Sequence, residues 1–453
     1  MHFGLATPNS CLLDSNLSKI SKKCSEATSF ASFVSTQSTK TEGYSCIELD
    51  DSSIVFQGRL YSPIPIETVQ SQISEYPEKC ETLLHTLMEQ ADGDYHFFWQ
   101  KKNWIAAGRD PIGIQPLYYG ENKEIVAFAT TRKALLLLGV DKPASFPPGH
   151  IGFADETGFK FKQVKAISHS ENKKNVSINE MSIELYELLK ESIRRRIRDT
   201  KDVAIAFSGG LDSSIVAFIA KSFDVKVNLF HVSMENEEET EDAIVSADAI
   251  NLPLQVDLFK DSDVEESLFK VVDLIEEPDS IKAAIGVPFF WTAKKVQEAG
   301  LRVLLAGQGA DELFGGYQRY VIQYCKDGAE NVQKTMFNDV KNIYETNLER
   351  DMKITSFFDV ELRLPFAMFD LVNFAVNLPL ECKIEPNQNT LRKLILRRLA
   401  MNLGMPAIIT DKPKKAVQYS TGVNNALKRV AKKHKMSVNE YVSKLYQKST
   451  GNI

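Results

Sequence analysis

The stretch Ala204 to Lys221, AIAFSGGLDSSIVAFIAK, decides how the rest of the chain is read. Val203 to Phe207 is a short unbroken apolar run, the pattern of a parallel strand buried on both faces. It stops at Ser208-Gly209-Gly210. Asp212, Ser213 and Ser214 then open a segment whose apolar residues Ile215, Phe218 and Ile219 recur at helical spacing. Strand, glycine turn and helix start together make an anion site. Glycine lets a ligand approach the backbone, and the first helical amides have no intrahelical partner. The hydroxyls of Ser208, Ser213 and Ser214 add donors. Asp212 is the odd residue, because a carboxylate repels phosphates unless a cation lies between them; it is therefore assigned to magnesium. No Gly-Lys-Ser/Thr follows the strand, so this is not a Walker A loop.

Downstream, Lys226 to Val232 reads as a strand. The acidic run Glu235 to Asp242 caps a helix reaching about Ala249, and Leu254 to Leu258 is a third strand. Val264 to Ile275 is helical, Glu276, Pro278 and Asp279 lie in a loop, Val287 to Ala299 is helical, and Arg302 to Ala306 is a fourth strand. That rhythm predicts a parallel sheet with crossover helices and a ligand crevice outside the carboxyl ends of the strands. The fourth strand runs into Ala306-Gly307-Gln308-Gly309-Ala310-Asp311-Glu312-Leu313-Phe314-Gly315-Gly316-Tyr317, a second glycine-rich turn on the same crevice. Asp311 is expected to meet Asp212 there, the two carboxylates holding one magnesium ion against a pyrophosphate. Upstream, Ser168 to Ile178 is a polar linker. Ser177 and Glu180 have capping-box spacing, and the helix they start carries Leu185, Leu188, Leu189, Ile193 and Ile197 on one face. Arg194, Arg195, Arg196 and Arg198 are expected to be its solvated end.

Composition narrows the classes. The 453 residues, 43% hydrophobic and 25% charged, suit two packed domains. With 54 basic and 60 acidic residues the net charge is −6, which gives no pull toward nucleic acid or anionic membrane. The six cysteines are scattered without a CxxC pair, which argues against a zinc or redox site and fits free thiols in a cytoplasmic protein. No secretory signal and no apolar run of about 18 residues occurs.

The first 170 residues read as several short strands (29–34, 46–49, 54–61, 94–100, 104–107, 125–129) with a helix at Cys80 to Gln90, an α+β or sandwich pattern. Gly108-Arg109-Asp110-Pro111-Ile112-Gly113-Ile114-Gln115-Pro116-Leu117-Tyr118-Tyr119-Gly120 strongly resembles the RDxxGxxPLYYG segment of class II glutamine amidotransferase domains, and Pro147-Pro148-Gly149-His150 matches the end of that domain. The resemblance also implies a nucleophilic cysteine at position 2 and an Asn-Gly-Glu clamp for glutamine. This chain has His2 and Gln57-Gly58-Arg59 instead, and Cys11, Cys24 and Cys46 cannot supply the α-amine the mechanism uses. A glutaminase-like domain that no longer hydrolyses glutamine is therefore expected.

SGGLDSS resembles the pyrophosphate loop of ATP pyrophosphatases. Paired with GxGADELFGGY about a hundred residues later, it resembles the synthetase domain of asparagine synthetases and related β-lactam synthetases. Asp359-Val360-Glu361-Leu362-Arg363-Leu364-Pro365-Phe366 is similar to the family's ExRxPF segment, and Lys412 to Gly422 to its lysine-bearing segment. The resemblance implies an α+β N-terminal domain over 1–168, a degenerate Ntn-hydrolase-like αββα sandwich. An α/β doubly wound parallel-sheet ATP-pyrophosphatase domain with a helical C-terminal part follows over 169–453.

It further implies that ATP adenylates a carboxylate, aspartate first among candidates, and that ammonia displaces AMP. ATP and Mg2+ are the implied cofactors. A small carboxylate and ammonia are the partners, with neither nucleic acid nor membrane, and a homodimer is the assembly considered. The catalytic candidates are Lys414 with Lys415 as fallback, Gln308 and Asp212. Phe207, Ser208, Gly209, Gly210, Asp212, Ser213, Ser214, Val232, Ala306, Gly307 and Asp311 are the nucleotide candidates, and Asp212 and Asp311 the metal ligands. Glu276 and Asp279 match acidic positions of the family's crevice. Two departures stand out. Gln308 occupies the place of a family glutamate that serves as base for the amine, and a family arginine is replaced near Ala284. An amide or lactam synthetase on another carboxylate, or a non-catalytic ATP-binding relative, are the competing readings. The basic C-terminal helix with Arg429 and Lys433 is expected to be solvated.

Overall fold

The computed structural model describes residues 2–6, 31–35, 44–49, 52–62, 66–101, 104–155, 157–169, 177–235, 237–412 and 421–451. Two compact units divide between Ala166 and Ile167, with Thr450–Ile453 grouped with the first.

The first unit is four layers. One sheet has the order β2-β1-β8-β7-β9, built from β1 (His2–Ala6), β2 (Ala31–Ser35), β7 (Tyr118–Glu121), β8 (Val126–Ala129) and β9 (Ala144–Ser145). The other runs β11-β10-β6-β5-β4-β3, from β3 (Tyr44–Glu48), β4 (Ser52–Ser62), β5 (Asp92–Lys101), β6 (Trp104–Arg109), β10 (His150–Asp155) and β11 (Gly158–Gln163). Alternation along β5 sets the layering. Phe98 points between the sheets with Ile105, Ala107, Val126 and Phe128. Phe97 and Trp99 point outward, onto α1 (Ile66–Glu75) and α2 (Cys80–Gln90) through Val69, Ile73, Leu84 and Leu87. α3 (Arg132–Leu137) covers the outer face of the first sheet through Ala134 and Leu135. This is the expected αββα sandwich. The RDxxG segment is more than a generic tight turn, because Asp110 organises it. Its Oδ1 accepts the backbone N–H groups of Ile112, Gly113 and Ile114 at 3.0, 2.7 and 3.1 Å, and Oδ2 accepts that of Gln115. Burial pushes the Asp110 carboxyl up to about 6 against the pull of Arg109 and these amides.

In the second unit, β12 (Asp202–Ala206), β13 (Lys226–Met234), β14 (Leu254–Phe259), β15 (Val303–Leu305) and β16 (Glu361–Arg363) form a sheet of order β14-β13-β12-β15-β16. Every neighbouring pair is parallel. The chain reverses direction across the sheet between β14 and β15, so β12 and β15 become neighbours at the switch point, where open α/β sheets bind ligands. Helices α4 (Ile178–Ile197), α5 (Leu211–Ala220), α6 (Glu239–Ala249), α7 (Asp261–Ile275) and α8 (Ser280–Glu298) accompany these strands. α9 (Ala310–Phe314), α10 (Gln318–Asp327), α11 (Ala329–Lys341), α12 (Glu349–Ser356), α13 (Phe369–Val376), α14 (Leu394–Asn402), α15 (Val423–Lys433) and α16 (Val438–Thr450) make the helical remainder. Among the described residues no helix is long and apolar enough to cross a membrane.

The capping box at Ser177 and Glu180 forms as expected, each side chain bonding the other residue's backbone N–H. Three expectations need correction. The helix placed at Val287 starts at Ser280 and carries Pro288 inside it. Asp279 caps it, accepting from the amides of Ile281 and Lys282, so the true start lies a full turn and more upstream. The arginine cluster ending α4 is only partly solvated. Arg194 and Arg195 pair with Glu191, but Arg196 is buried and its Nη1 donates to the Ser192 hydroxyl at 2.9 Å. The basic helix α15 is likewise tied down, Arg429 to Asp261 at 2.6 Å and Lys433 to Glu265 at 2.9 Å, both on α7.

Candidate active site

The loop after β12 is built around Gly209, whose φ of +65° an L side chain rarely adopts. A Cβ there would lie 2.6 Å from the Cα of Ala243 at the start of α6. Gly210, at φ −86°, is extended and caps α5, so only the first glycine of the pair needs the left-handed region. The loop is self-bonded. Ser208 Oγ accepts from Gly210 N at 3.3 Å, and Ser213 Oγ accepts from Ser208 N at 3.3 Å while donating to Gly210 O. Ser208 is exposed and Ser213 buried. Ser214 Oγ is buried with no partner among the described residues, an unspent donor at the helix start.

The second glycine turn meets the first. A Cβ on Gly307 would stand 3.0 Å from Asp212 Cβ, so the two loops touch. Asp212 and Asp311 do converge, as the sequence implies. What joins them is a residue the sequence reading missed. The ammonium of Lys393 lies 2.5 Å from Asp212 Oδ2 and 2.7 Å from Asp311 Oδ1, with a side chain only 2% exposed. Lys393 precedes α14 at φ +61°, an unusual conformation for a residue with a side chain. Gly316 makes room for the pair, because a Cβ there would stand 1.9 Å from Asp311 Oδ1 and 2.4 Å from Lys393 Cε. Asp212 Oδ1 is buried and has no partner among the described residues. Two close carboxylates with an orphaned oxygen are hard donors that fit magnesium. They supply too few ligands alone, and no group of three or more His, Cys, Asp or Glu with metal-binding geometry occurs among the described residues. Phosphate oxygens and water would complete the set.

The lysine-bearing segment reaches the same loop. Lys414 and Lys415 lie outside the described residues. Lys412, which leads into them, donates from Nζ to Gly209 O at 3.3 Å and pairs with Asp242 at 3.1 Å. Its stem is pinned by Arg397 of α14. The buried guanidinium donates to the carbonyls of Thr410, of Lys412 at 2.9 Å and of Arg392 at 2.7 Å. One cation therefore positions both the Lys412 strand and the turn that carries Lys393. Neither Lys393 nor Arg397 stood out in the sequence, since TLRKLILRR reads as an ordinary amphipathic helix start.

The remaining candidates divide. Ala306 and Gly307 leave β15 for the crevice, and Val232 lies near the end of β13. Phe207 already uses its backbone: its N–H donates to Phe230 O at 2.8 Å and its carbonyl accepts from His231 Nδ1 at 3.0 Å. His231 is held neutral, its pKa lowered by burial. Glu276 caps α7 at φ +60° and pairs with Lys353 at 3.1 Å, while Asp279 caps α8. Both carry structural contacts as well. Gln308 Nε2 donates to Asp351 Oδ2 at 2.5 Å, and Arg350 forks the same carboxylate at 2.7 and 3.0 Å. Burial raises the Asp351 pKa, opposed by Arg350 and Gln308.

Comparison with known proteins gives the family. The asparagine synthase family model matches residues 184–331 and 323–448, and the glutamine amidotransferase domain model matches 66–137. A putative asparagine synthetase [glutamine-hydrolyzing] of Methanocaldococcus jannaschii is 33% identical over 87% of this chain and 83% of its own length. The chain belongs to the asparagine synthetase family. A probable asparagine synthetase of Schizosaccharomyces pombe is 30% identical over 70% of this chain and 62% of its own. Among solved structures, an NMN synthetase of Francisella tularensis matches 61% of this chain and 94% of its own at 13% identity and a TM-score of 0.30.

Proposed function

We propose that this asparagine synthetase relative is an ATP-dependent ligase with magnesium as cofactor. It adenylates a carboxylate, aspartate being the first candidate, releases pyrophosphate, and transfers ammonia to the activated carbonyl with loss of AMP. The observation that carries this is the convergence of the Ser208–Ser214 loop, Gly307, Asp212, Asp311, Lys393 and Lys412 on one crevice at the switch point. The carboxylate, the triphosphate and the leaving pyrophosphate are all anionic, so positioned amides and cations would do most of the catalytic work. Ser208, Ser213 and the amides around Gly210 would hold the leaving pyrophosphate. Magnesium, when bound by Asp212 and Asp311, would supply positive charge between phosphates and carboxylates. Lys393, Lys412 and Lys414 or Lys415 would balance charge as the adenylate forms.

Ammonia as the nitrogen source rests on the first unit. Where the family clamps glutamine with Asn-Gly-Glu, β4 carries Gln57-Gly58-Arg59, with Arg59 paired in register to Asp94. We assign residues 1–168 to a glutaminase-like domain without that activity, 169–453 to the synthetase, and the whole to the cytoplasm. A second reading, another carboxylate or amine, is favoured by Gln308 and by Ala284, buried on α8, near which the family resemblance implies an arginine for the substrate carboxylate. The test is pyrophosphate release from ATP. Release requiring aspartate and ammonia together supports the first reading, and release only with another carboxylate supports the second. Glutamine replacing ammonia would overturn the assignment of the first unit.

A further inference from the structure

We infer that Lys393 is a resident counter-ion of the Asp212–Asp311 pair, and that a divalent cation enters there only together with phosphate oxygens that draw the ammonium away. This rests on the reading of the crevice as a nucleotide site. Three observations carry it. The ammonium touches both carboxylates at 2.5 and 2.7 Å and is nearly closed off from solvent, so it occupies the position between them that a metal would need. The arrangement is enforced: Lys393 sits at φ +61°, and the missing Cβ of Gly316 leaves the space its Cε and Asp311 fill. Asp212 Oδ1 stays buried without a partner among the described residues, an oxygen the ammonium leaves for another cation.

A magnesium ion arriving alone would meet a pair already neutralised in part and an ammonium that repels it, with only water to fill the rest of its shell. Pyrophosphate or a nucleotide changes both terms. Its oxygens complete the coordination, and its charge gives the long lysine chain a new partner. Metal and nucleotide therefore bind as a unit, and the empty site does not hold a stray divalent ion. Loss of pyrophosphate would let the lysine return to the two carboxylates.

The test uses the full-length chain and Mn2+, read by electron paramagnetic resonance, without and with inorganic pyrophosphate. Wild type is expected to bind Mn2+ alone weakly and to gain at least about tenfold in affinity with pyrophosphate. Lys393→Gln, shown folded by circular dichroism, should bind Mn2+ alone at least about tenfold more tightly than wild type. Lys393→Arg, which keeps the charge, should stay weak. A Gln variant no tighter than wild type overturns the inference. So does wild type binding Mn2+ alone as tightly as with pyrophosphate, a result that needs no variant. Absence of turnover with every carboxylate would instead count against the proposed reaction and leave the metal measurement standing.

Discussion

Replacing Gly209 by alanine tests whether the loop after β12 is shaped for its ligand by backbone alone. Two penalties can be worked out. Alanine at φ +65° costs about 1–2 kcal/mol in the left-handed region. The added methyl would stand 2.6 Å from Ala243 Cα and 3.1 Å from both Ala243 N and Asp242 O. These are backbone atoms around the first turn of α6, unable to swing aside, and overpacking of this kind costs about 1–3 kcal/mol. If the loop holds its shape, folding stability falls by about 2–5 kcal/mol. If it relaxes, it must release Ser246 Oγ, 3.1 Å from Gly209 O, and Lys412 Nζ, 3.3 Å from the same oxygen. The amides then turn from the phosphates and the KM for ATP rises. The assays are urea denaturation and pyrophosphate release against ATP concentration. Gly300→Ala is the control: φ is +73° but nothing lies within 4 Å, so it should cost only the backbone penalty of about 1–2 kcal/mol and leave KM unchanged. A Gly209→Ala protein with both midpoint and KM at wild-type values would refute the reasoning.

Gly316→Ala should dislodge Lys393 from Asp311, because the methyl would stand 1.9 Å from the carboxylate oxygen; expect at least about a tenfold loss in kcat/KM for pyrophosphate release, and an unaffected rate would count against the role given to Lys393. Arg397→Met leaves the carbonyls of Thr410, Lys412 and Arg392 without their donor. A destabilisation of about 3 kcal/mol, seen in urea, should accompany a loss of kcat that guanidinium ion added at millimolar level partly restores. Lys383 faces a cavity of about 20 Å³ lined by Met336, Phe337, Val340 and Leu380 with Glu312 and His169, and burial pushes its pKa down to about 7. The free chain's amine titrates near 10.4, so the folded protein binds fewer protons between these values. Stability is then fullest above the higher value and falls by about 1.4 kcal/mol per unit as pH drops to about 7. Lys383→Met should flatten that slope and be more stable at pH 7; parallel urea profiles for the two proteins between pH 7 and 9 would refute it.

What was legible in the sequence follows from the range of the forces involved. The strand before Ser208 and the helix after Gly210 are local signals, and their boundaries fall within a residue of the expected ones. The two glycine turns could be placed on one crevice because parallel strands put their carboxyl ends on one edge. Lys393 could not be found this way. It stands 181 residues from Asp212, in a segment with no motif, and only the packing of α14 on α5 brings it in. The start of α8 was missed because Pro288 reads as a breaker, although Asp279 two residues before Ile281 was a usable N-cap signal. Arg196 was misplaced because a helix-end charge cluster does not reveal which of its members turns inward.

The Gln308 substitution makes physical sense only with Asp351 beside it. Asp351 is fully buried, forked by Arg350, and 2.5 Å from the Gln308 amide nitrogen. A glutamate at 308 would press a second carboxylate against the first at that separation, away from water, and one of the two would have to stay protonated. A neutral amide avoids that conflict. Because its NH2 is committed to Asp351, the carbonyl oxygen is the end left over, and a carbonyl can align an N–H without removing its proton. Under the proposed reaction, Gln308 would orient a neutral amine and not act as its base. Deprotonation would then fall to another group or to the amine's own equilibrium in water, and the proposed reaction would follow the free-base fraction of its nitrogen source.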